Sequence, residues 1–219
     1  NRAARTGDKR ANKEQVVLNN LKNALEQSKN IRSLDIKNDD RIEFVKPLQL
    51  ITDKPVLYVC NVDEASVKSG NDYVEKVKSI IANESSGLLI LGVNIEADIS
   101  ELDSFDERQM FLEDLGLDEA GSAKLIREAY TLLNKQTYFT AGEKEVRAWT
   151  IPIGSTAQQA AGVIHSDFEK GFIRAEVISY KDYEQYKSEA KVREAGKMRV
   201  EGKEYLVQDG DVMHFRFNV

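Results

Sequence analysis

The stretch PVLYVCNVDEAS (residues 55–66) decides how the first half of the chain is expected to fold. Its first six residues are continuously apolar, which is typical of a strand covered on both faces of a parallel sheet. The stretch GLLILGV (residues 87–93) has the same character, and residues 72–82 between them carry apolar side chains at helical spacing. The order strand, helix, strand predicts an α/β unit with a parallel sheet.

Helical patterns flank these strands. Residues 105–115 and 118–134 are predicted helices, and residues 13–28 carry one apolar stripe that includes Val17, Leu21 and Leu25. A single stripe needs a partner helix. Because residues 6–8 (TGD) favour a chain reversal, residues 1–46 are predicted to form part of a helical hairpin with a basic tip.

The last third of the chain contains several short segments with strand-like and helix-like patterns. Residues 137–140 and 145–151 predict a β-hairpin, and residues 157–165 and 182–196 predict helices. GKEYLV (residues 202–207) and VMHFRFNV (residues 212–219) predict a closing strand pair, the second alternating with period two. These elements favour a small β-grasp sheet packed on a helix. The predicted fold class is therefore α/β plus α+β, with domains at residues 1–46, 47–134 and 135–219.

Composition and charge limit the functional classes. Of the 219 residues, 41% are hydrophobic, which is enough for a packed core. A single cysteine, Cys60, rules out an intramolecular disulfide and is expected to be a buried cytosolic thiol. No apolar run reaches the roughly 18 residues that a membrane span needs. The chain starts at Asn1 and is expected to be a piece of a longer protein.

Charge is distributed unevenly along the chain. Residues 1–32 carry a net charge of +5, residues 33–133 carry −11, and residues 134–219 are neutral. Such asymmetry suggests that the segments have different tasks. A basic segment on an acidic protein is suited to RNA phosphates, although a solvated helix surface is the simpler explanation.

Several longer stretches match a known family. IPIGSTAQQAAGVIHSDFEKGFIRAEVI (residues 151–178) and YLVQDGDVMHFRFNV (residues 205–219) resemble a TGS domain, a ubiquitin-like module. QTYFTAGEKEVRAWTIP (residues 136–152), IEADISELD (residues 95–103) and KPVLYVCNVDE (residues 54–64) resemble signatures of the YchF family of Obg-like ATPases. The resemblance covers essentially the whole chain.

The resemblance implies a fold and an activity for the intact protein. Family members combine a P-loop GTPase-type domain, which contains an inserted helical hairpin, with a TGS domain. The implied function is a cytoplasmic, ribosome-associated ATPase that uses ATP and Mg²⁺ and prefers ATP to GTP, with no membrane partner and no DNA specificity. This chain resembles the last three-fifths of such a protein.

The phosphate-binding motif of that family does not occur in the sequence. No G-x-x-x-x-G-K-[ST] is present, so no phosphate loop or Mg²⁺-binding Ser/Thr is expected here. We therefore expect the 219 residues to contain no catalytic residues or Mg²⁺ ligands and not to hydrolyse ATP alone. The alternative is a non-enzymatic RNA- or ribosome-binding module.

The residues after the first strand are candidates for binding a nucleotide base. Where GTPases have N-K-x-D, this chain has Asn61, Val62, Asp63 and Glu64. The resemblance implies that Asn61 bonds the N6/N7 edge of the purine, while Glu64 no longer offers guanine its paired acceptor. Val62, in place of lysine, supplies only part of a packing contact. The simpler interpretation is that Asn61 ends a strand and Glu64 begins a turn.

Other candidates follow from the same combination of pattern and resemblance. A second base-contacting loop is expected to use backbone groups of Gly92, Val93 and Asn94. The candidates for RNA or ribosome contact are basic residues: Arg5, Lys9, Arg10 and Lys13 at the hairpin tip, and Lys144, Arg147, Lys170 and Arg174 along one side of the TGS sheet near Tyr138, Phe139 and Trp149. Core aromatics with solvated charges are an equally good explanation for the second group.

The two histidines and the DGD sequence have simple explanations. His165 is expected to cap the short helix at residues 157–165 or to satisfy local backbone groups, with contact to RNA or a small ligand as the alternative. His214 is expected on the surface. Asp209-Gly210-Asp211 predicts a turn. Two histidines and one cysteine without ligand spacing argue against a zinc site.

Overall fold

The computed structural model describes residues 8–84, 86–142 and 145–218 and divides them into two units. The first unit ends at Leu132 and the second begins at Leu133. Each unit has its own hydrophobic core.

A two-stranded parallel sheet organises the first unit. Strand β1 (Leu57–Asn61) pairs in register with β2 (Gly87–Leu91), from Leu57 opposite Gly87 to Asn61 opposite Leu91. A Cβ atom on Gly87 would lie 2.8 Å from the Leu57 side chain, so the register favours glycine there. The parallel arrangement predicted from the apolar runs is confirmed, although Val59 is 43% exposed and Cys60 is only partly buried.

Helices account for most of the remaining first unit. They are α1 (Lys9–Glu26), α2 (Asp72–Ile81), α3 (Val93–Glu101), α4 (Phe105–Asp114) and α5 (Gly121–Leu132). Short helical turns occupy Ile31–Ser33, Asn38–Asp40, Arg41–Val45, Lys46–Leu48, Ile51–Asp53 and Glu64–Ser66. None of the helices in the described residues is both long enough and apolar enough to span a bilayer.

The apolar stripe of α1 packs against a helical turn from the same unit. Val17, Leu21 and Ala24 are buried in a cluster with Phe44 and Val45. Leu25, which the sequence pattern places in the stripe, is 41% exposed. The buried stripe thus keeps Val17 and Leu21 of the predicted stripe and has Ala24 in place of Leu25, and its partner is the turn Arg41–Val45.

A single carboxylate joins three segments of the first unit. Glu84 accepts hydrogen bonds from Asn30 (2.8 Å), Arg32 (2.9 Å), Ser86 (3.0 Å) and the Tyr58 hydroxyl (3.2 Å). The hydrogen bond from Arg32 is the largest influence holding the pKa of Glu84 below its usual value. The loop after α1, strand β1 and the loop before β2 are thus joined at one side chain.

The second unit contains a five-stranded mixed sheet. Its strands are β3 (Lys135–Ala141), β4 (Val146–Pro152), β5 (Phe172–Ile178), β6 (Arg199–Glu201) and β7 (Val212–Phe217), in the order β4-β3-β7-β5-β6. The β3–β7 pair is parallel and the others are antiparallel. The predicted hairpin is confirmed as β3–β4.

The predicted closing strand pair is wrong in one member. Residues 202–207 form no strand and make only a single bridge, between Leu206 and Thr156. The edge strand β6 lies three residues earlier, and β7 pairs with β3 and β5. The alternation of β7 is confirmed, with Met213 and Phe215 buried and His214 and Arg216 exposed.

In the described part of the second unit the helices are α6 (Ala157–Ile164), α7 (Ser166–Lys170), α8 (Tyr180–Tyr186) and α9 (Glu189–Glu194). Helix α6 packs on the sheet through Ala157, Ala160 and Ala161, all fully buried. The Tyr138 hydroxyl donates to the Ala160 carbonyl at 2.8 Å, and burial raises the pKa of Tyr138. The single helix predicted for residues 182–196 is instead two, separated by Lys187 with φ of 60°.

The DGD turn between β6 and β7 also supplies two structural carboxylates. Asp211 is 2% exposed and accepts from the Tyr205 hydroxyl (2.8 Å) and the Gln208 N–H (2.9 Å). Asp209 accepts from the Thr137 N–H at 2.8 Å. The turn predicted from sequence therefore also anchors the start of β3 and the chain before β7.

We expect Glu84→Gln to lower the stability of the first unit at neutral pH. The Arg32 guanidinium loses its charged acceptor, while other donors retain partial bonding. Because the native pKa of Glu84 is lowered, its contribution is present above pH 4.5 and is lost as the pH falls through the native pKa. Urea unfolding should therefore show a lower free energy of unfolding for Glu84→Gln than for the wild type at pH 7, and this difference should shrink in acid. Glu75→Gln, at an exposed ion pair with Lys78, should change little at either pH.

Asp211→Ala should destabilise the second unit by about 1.5–3 kcal/mol, because a buried acceptor of two hydrogen bonds is lost. Asp209→Ala, in the same turn but exposed and with one backbone bond, should cost about 0.5–1.5 kcal/mol. Thermal unfolding monitored by Trp149 fluorescence reports on this unit. Equal losses in the two variants would contradict the dominant role given to Asp211.

Candidate nucleotide-base site

The carboxyl ends of the two parallel strands lie at the same edge of the sheet. Asn61, at the end of β1, is opposite Leu91, at the end of β2. One further backbone bond, from the Val62 N–H to the Leu91 carbonyl (2.9 Å), continues the pairing into the loops. Ligands of open α/β sheets bind at this edge.

The Asn61 side chain connects the two loops. Its Oδ1 accepts a hydrogen bond from the Val93 N–H at 3.1 Å. This bond assigns the amide orientation, because a backbone N–H requires an acceptor. The Asn61 NH₂ group then faces solvent with no partner among the described residues.

The loop after Asn61 is a turn capped by its own side chain. Asp63 Oδ1 accepts from the Ser66 N–H at 2.9 Å, and Glu64 begins the 3₁₀ turn Glu64–Ser66. The Glu64 carboxylate is exposed and has no partner in the described part of the chain. Glu64 therefore does begin a turn, as in the simpler interpretation, while its carboxylate stays available to a ligand.

The second predicted loop has a different structure from the one expected. Strand β2 ends at Leu91, two residues before the predicted end, and Val93 is the first residue of α3. Gly92 is buried at the helix N-cap, whereas Val93 and Asn94 are exposed. The first-turn N–H groups of a helix lack intrahelical acceptors, so the Asn94 N–H is a donor that a ligand acceptor can use.

Sequence reasoning missed Glu96, which holds α3 in place. Its carboxylate accepts from the Gly121 N–H (2.6 Å) and the Ser122 N–H (2.9 Å) at the start of α5. A Cβ atom on Gly121 would lie 2.1 Å from a Leu91 methyl carbon and 2.9 Å from Glu96 Oε1. The available signal was the helical spacing of Ile95 and Ile99, which predicts a helix directly after β2.

The described basic residues of the predicted hairpin tip lie at the start of α1, and two have acidic partners. Arg10 pairs with Glu43 at 2.6 Å and Lys13 with Asp40 at 2.5 Å. Lys9 is exposed. Pairing with carboxylates reduces the charge that Arg10 and Lys13 present to a phosphate, so RNA contact there remains a prediction.

The basic residues predicted along one side of the second sheet are not on one side. Arg147 lies 4.1 Å from the centre of the Trp149 ring, on the face that α6 covers. Arg174 lies on the opposite face, because its neighbour Ala175 points into the core. Strand neighbours alternate faces, so the expectation of a single basic side is wrong.

The remaining candidate residues that the structure describes lie neither at the start of α1 nor on the sheet of the second unit. Lys170 is exposed at the end of α7 rather than on the sheet. Arg5 and Lys144 lie outside the described residues. His165 accepts from the Asp167 N–H at 3.2 Å, so its side chain caps α7 and not the helix predicted at residues 157–165. Within residues 8–84, 86–142 and 145–218, no group of three or more His, Cys, Asp or Glu side chains is arranged to hold a metal ion.

Comparison with known proteins identifies close relatives. Residues 135–218 match the family YchF-GTPase_C, described as "Protein of unknown function (DUF933)". The chain is 52% identical over 216 residues to the ribosome-binding ATPase YchF of Pasteurella multocida, covering 99% of this chain and 59% of that protein. It is 50% identical over 218 residues to the protein of the same name from Bacillus subtilis, again covering 59% of the relative.

A solved structure agrees with these matches. The structure of the Schizosaccharomyces pombe YchF GTPase superposes with a TM-score of 0.78 at 37% identity, covering 93% of this chain and 54% of that one. The chain thus spans a little more than half the length of the relatives it matches.

Together, the fold and the matches define a GTPase-like α/β protein with a mixed-sheet second unit. The chain belongs to the YchF family, and residues 135–218 are its YchF-GTPase_C domain. The resemblance to the YchF family noted in the sequence is confirmed.

Glu96→Ala should loosen the second loop as well as destabilise the first unit. Loss of two hydrogen bonds to a carboxylate is expected to cost about 1.5–3 kcal/mol, and the Val93 amide should exchange with deuterium faster. The matched control is Glu107→Ala, which removes a capping carboxylate from the start of α4. That variant should leave Val93 exchange unchanged.

Proposed function

We propose that this chain contributes the base-recognition loops of a ribosome-binding ATPase that prefers ATP to GTP. The observation that carries the proposal is the hydrogen bond between Asn61 Oδ1 and the Val93 N–H, which joins the loops after two adjacent parallel strands. The names of the relatives support ATPase activity and ribosome binding. A cytoplasmic location is part of the same proposal, and the ribosome-binding names of the relatives support it.

The geometry favours a specific mode of purine contact. Because Asn61 Oδ1 is bonded to Val93, the NH₂ group is the part of the side chain available to donate to purine N7. The Asn94 N–H suits an acceptor on the opposite edge of the ring, such as adenine N1. Of the N6/N7 edge contact expected from the sequence, this arrangement keeps the hydrogen bond to N7 and assigns no contact of Asn61 to N6.

Selectivity is assigned to Glu64. In N-K-x-D loops an aspartate accepts two hydrogen bonds from guanine, and adenine has no such donors. The Glu64 side chain is one methylene longer than that of aspartate, and its carboxylate is exposed. Glu64 is the first residue of the turn that Asp63 caps. We propose that this difference removes the paired acceptor for guanine. The loss of such a pair is worth about 1–3 kcal/mol of discrimination between the bases.

The residues fit the base of a nucleotide and not its phosphates. The 219 residues contain no Walker-type phosphate loop, and the described residues contain no cluster suited to Mg²⁺. When bound in the proposed enzyme, Mg²⁺ and a phosphate loop would supply positive charge to the phosphoryl group, and none of the residues described here is assigned to hold them. This chain's part is to bind and orient the purine through Asn61, Val93 and Asn94.

The second unit is proposed to be a ubiquitin-like TGS module of β-grasp type. Counted within the unit, its strand order is 2-1-5-3-4, and α6 follows the first hairpin and packs on the sheet. Helix α1 is proposed to be one arm of a helical hairpin, since Leu18 (37%) and Leu25 (41%) remain exposed on it.

The second candidate function is a non-enzymatic RNA- or ribosome-binding module. It is favoured by the exposed arginines of the second unit. A binder of this kind predicts salt-sensitive association with ribosomes that nucleotides do not alter. In the ATPase, nucleotide changes the association.

The proposal is tested by titrating the ¹⁵N-labelled chain with AMP and GMP. We expect AMP to shift the Asn61 side-chain NH₂ and the Asn94 amide more strongly than GMP does. Glu64→Asp should move the AMP/GMP affinity ratio toward GMP by roughly fivefold or more. Glu101→Asp, at an exposed carboxylate at the end of α3, is the control. No shift with either nucleotide, or an unchanged ratio in Glu64→Asp, would contradict the proposal.

A further inference from the structure

One face of the second unit's sheet gathers arginines around a single carboxylate. Arg174 on β5 is directly opposite Arg216 on β7, and Glu176 is directly opposite His214. Ala175 and Val177, which alternate with Arg174 and Glu176, are buried on the side of α6. The charged residues therefore lie on the other side of the sheet, which we call the outer face.

The charges on the outer face do not balance. Glu176 contacts Arg216 at 3.3 Å and Arg193, from α9, at 3.6 Å. Arg174 is exposed and has no hydrogen bond or ion pair to any described residue. The outer face thus carries three guanidinium groups and one carboxylate. That carboxylate, Glu176, contacts two of the three and its side chain is 13% exposed.

This arrangement is unfavourable for an isolated sheet. Like charges directly opposite each other on neighbouring strands are destabilising, and Arg174 with Arg216 is such a pair. Glu176 offsets one of the two charges. A bound anion would offset the other, and the exposed fractions of Arg216 (48%) and Arg193 (64%) leave them accessible to one.

We propose that the outer face binds the phosphate backbone of RNA through Arg174, Arg193 and Arg216. The arginine fork pairs with phosphate oxygens in two parallel hydrogen bonds. A sheet surface suits an extended strand, and the exposed His214 ring lies beside the arginines where a base can stack. The inference rests on the proposed function, and it names the surface and chemical group through which the second unit meets a ribosome.

The opposite face supplies a matched control. Arg147 is also an exposed arginine on the same sheet, but it stacks on Trp149 on the α6 side. Arg147→Gln changes the net charge of the protein as much as Arg174→Gln does. A difference between these two variants therefore reports position and not total charge.

The experiment measures binding of a fluorescein-labelled 12-nucleotide single-stranded RNA to the 219-residue chain by anisotropy. Arg174→Gln should weaken binding severalfold, and Arg174→Gln/Arg216→Gln should weaken it tenfold or more. The slope of log K against log salt should fall by about 0.7 for each phosphate that the variant no longer neutralises. Arg147→Gln should match the wild type. Because Arg174→Gln breaks no described contact and removes one of two opposed like charges, it should not lower the melting temperature, so weaker RNA binding would not reflect unfolding.

Three outcomes would overturn the inference. If Arg147→Gln weakens RNA binding and the outer-face variants do not, the face is wrong while RNA contact by the proposed ribosome-binding protein stands. If polyglutamate competes as well as RNA with the same arginine dependence, the surface serves an acidic protein. If the wild type binds no RNA, the inference fails, and co-sedimentation of the same chain with ribosomes shows separately whether the proposed ribosome association survives.

Discussion

The parallel pairing of β1 with β2 is the constraint on which the candidate base site depends. It brings Asn61 and Leu91 to the same edge, and only then does the Asn61 amide reach the Val93 N–H. A shift of the register by one residue would turn Asn61 to the other face of the sheet. The close approach at Gly87, where a Cβ would meet Leu57, favours the observed register.

Carboxylates supply much of the long-range connection in both units. Glu84, Glu96 and Asp211 each accept hydrogen bonds from segments distant in sequence or from backbone N–H groups at the start of a helix or turn. A carboxylate accepts at several lone pairs, so one side chain can hold two or three segments together. Part of the chain's acidic character is therefore structural, and net charge by itself says little about a binding partner.

The second unit shows how strand alternation separates residues that are close in a sequence pattern. Tyr138 and Trp149 lie on the side of α6, and Arg147 shares that side. Arg174 and Arg216 lie on the outer face because their neighbours Ala175 and Phe215 are in the core. The basic residues that the sequence pattern placed on one surface therefore lie on two. On one surface Arg147 stacks on the Trp149 ring, and on the other the arginines lie near Glu176.

Local pattern determined a large part of this protein. The apolar runs predicted both strands of the parallel sheet, the period-two alternation predicted the faces of β7, and the family motifs identified YchF, because each of these signals is carried by neighbouring residues. Tertiary structure decided the rest. Contacts between distant segments decided four features that no local pattern carries. These are the end of β2 at Leu91, the pairing of Arg10 with Glu43, the role of Glu96 and the separation of Arg147 from Arg174. Helix and strand periods describe one segment at a time, so which carboxylate meets which N–H group was settled only when the chain packed.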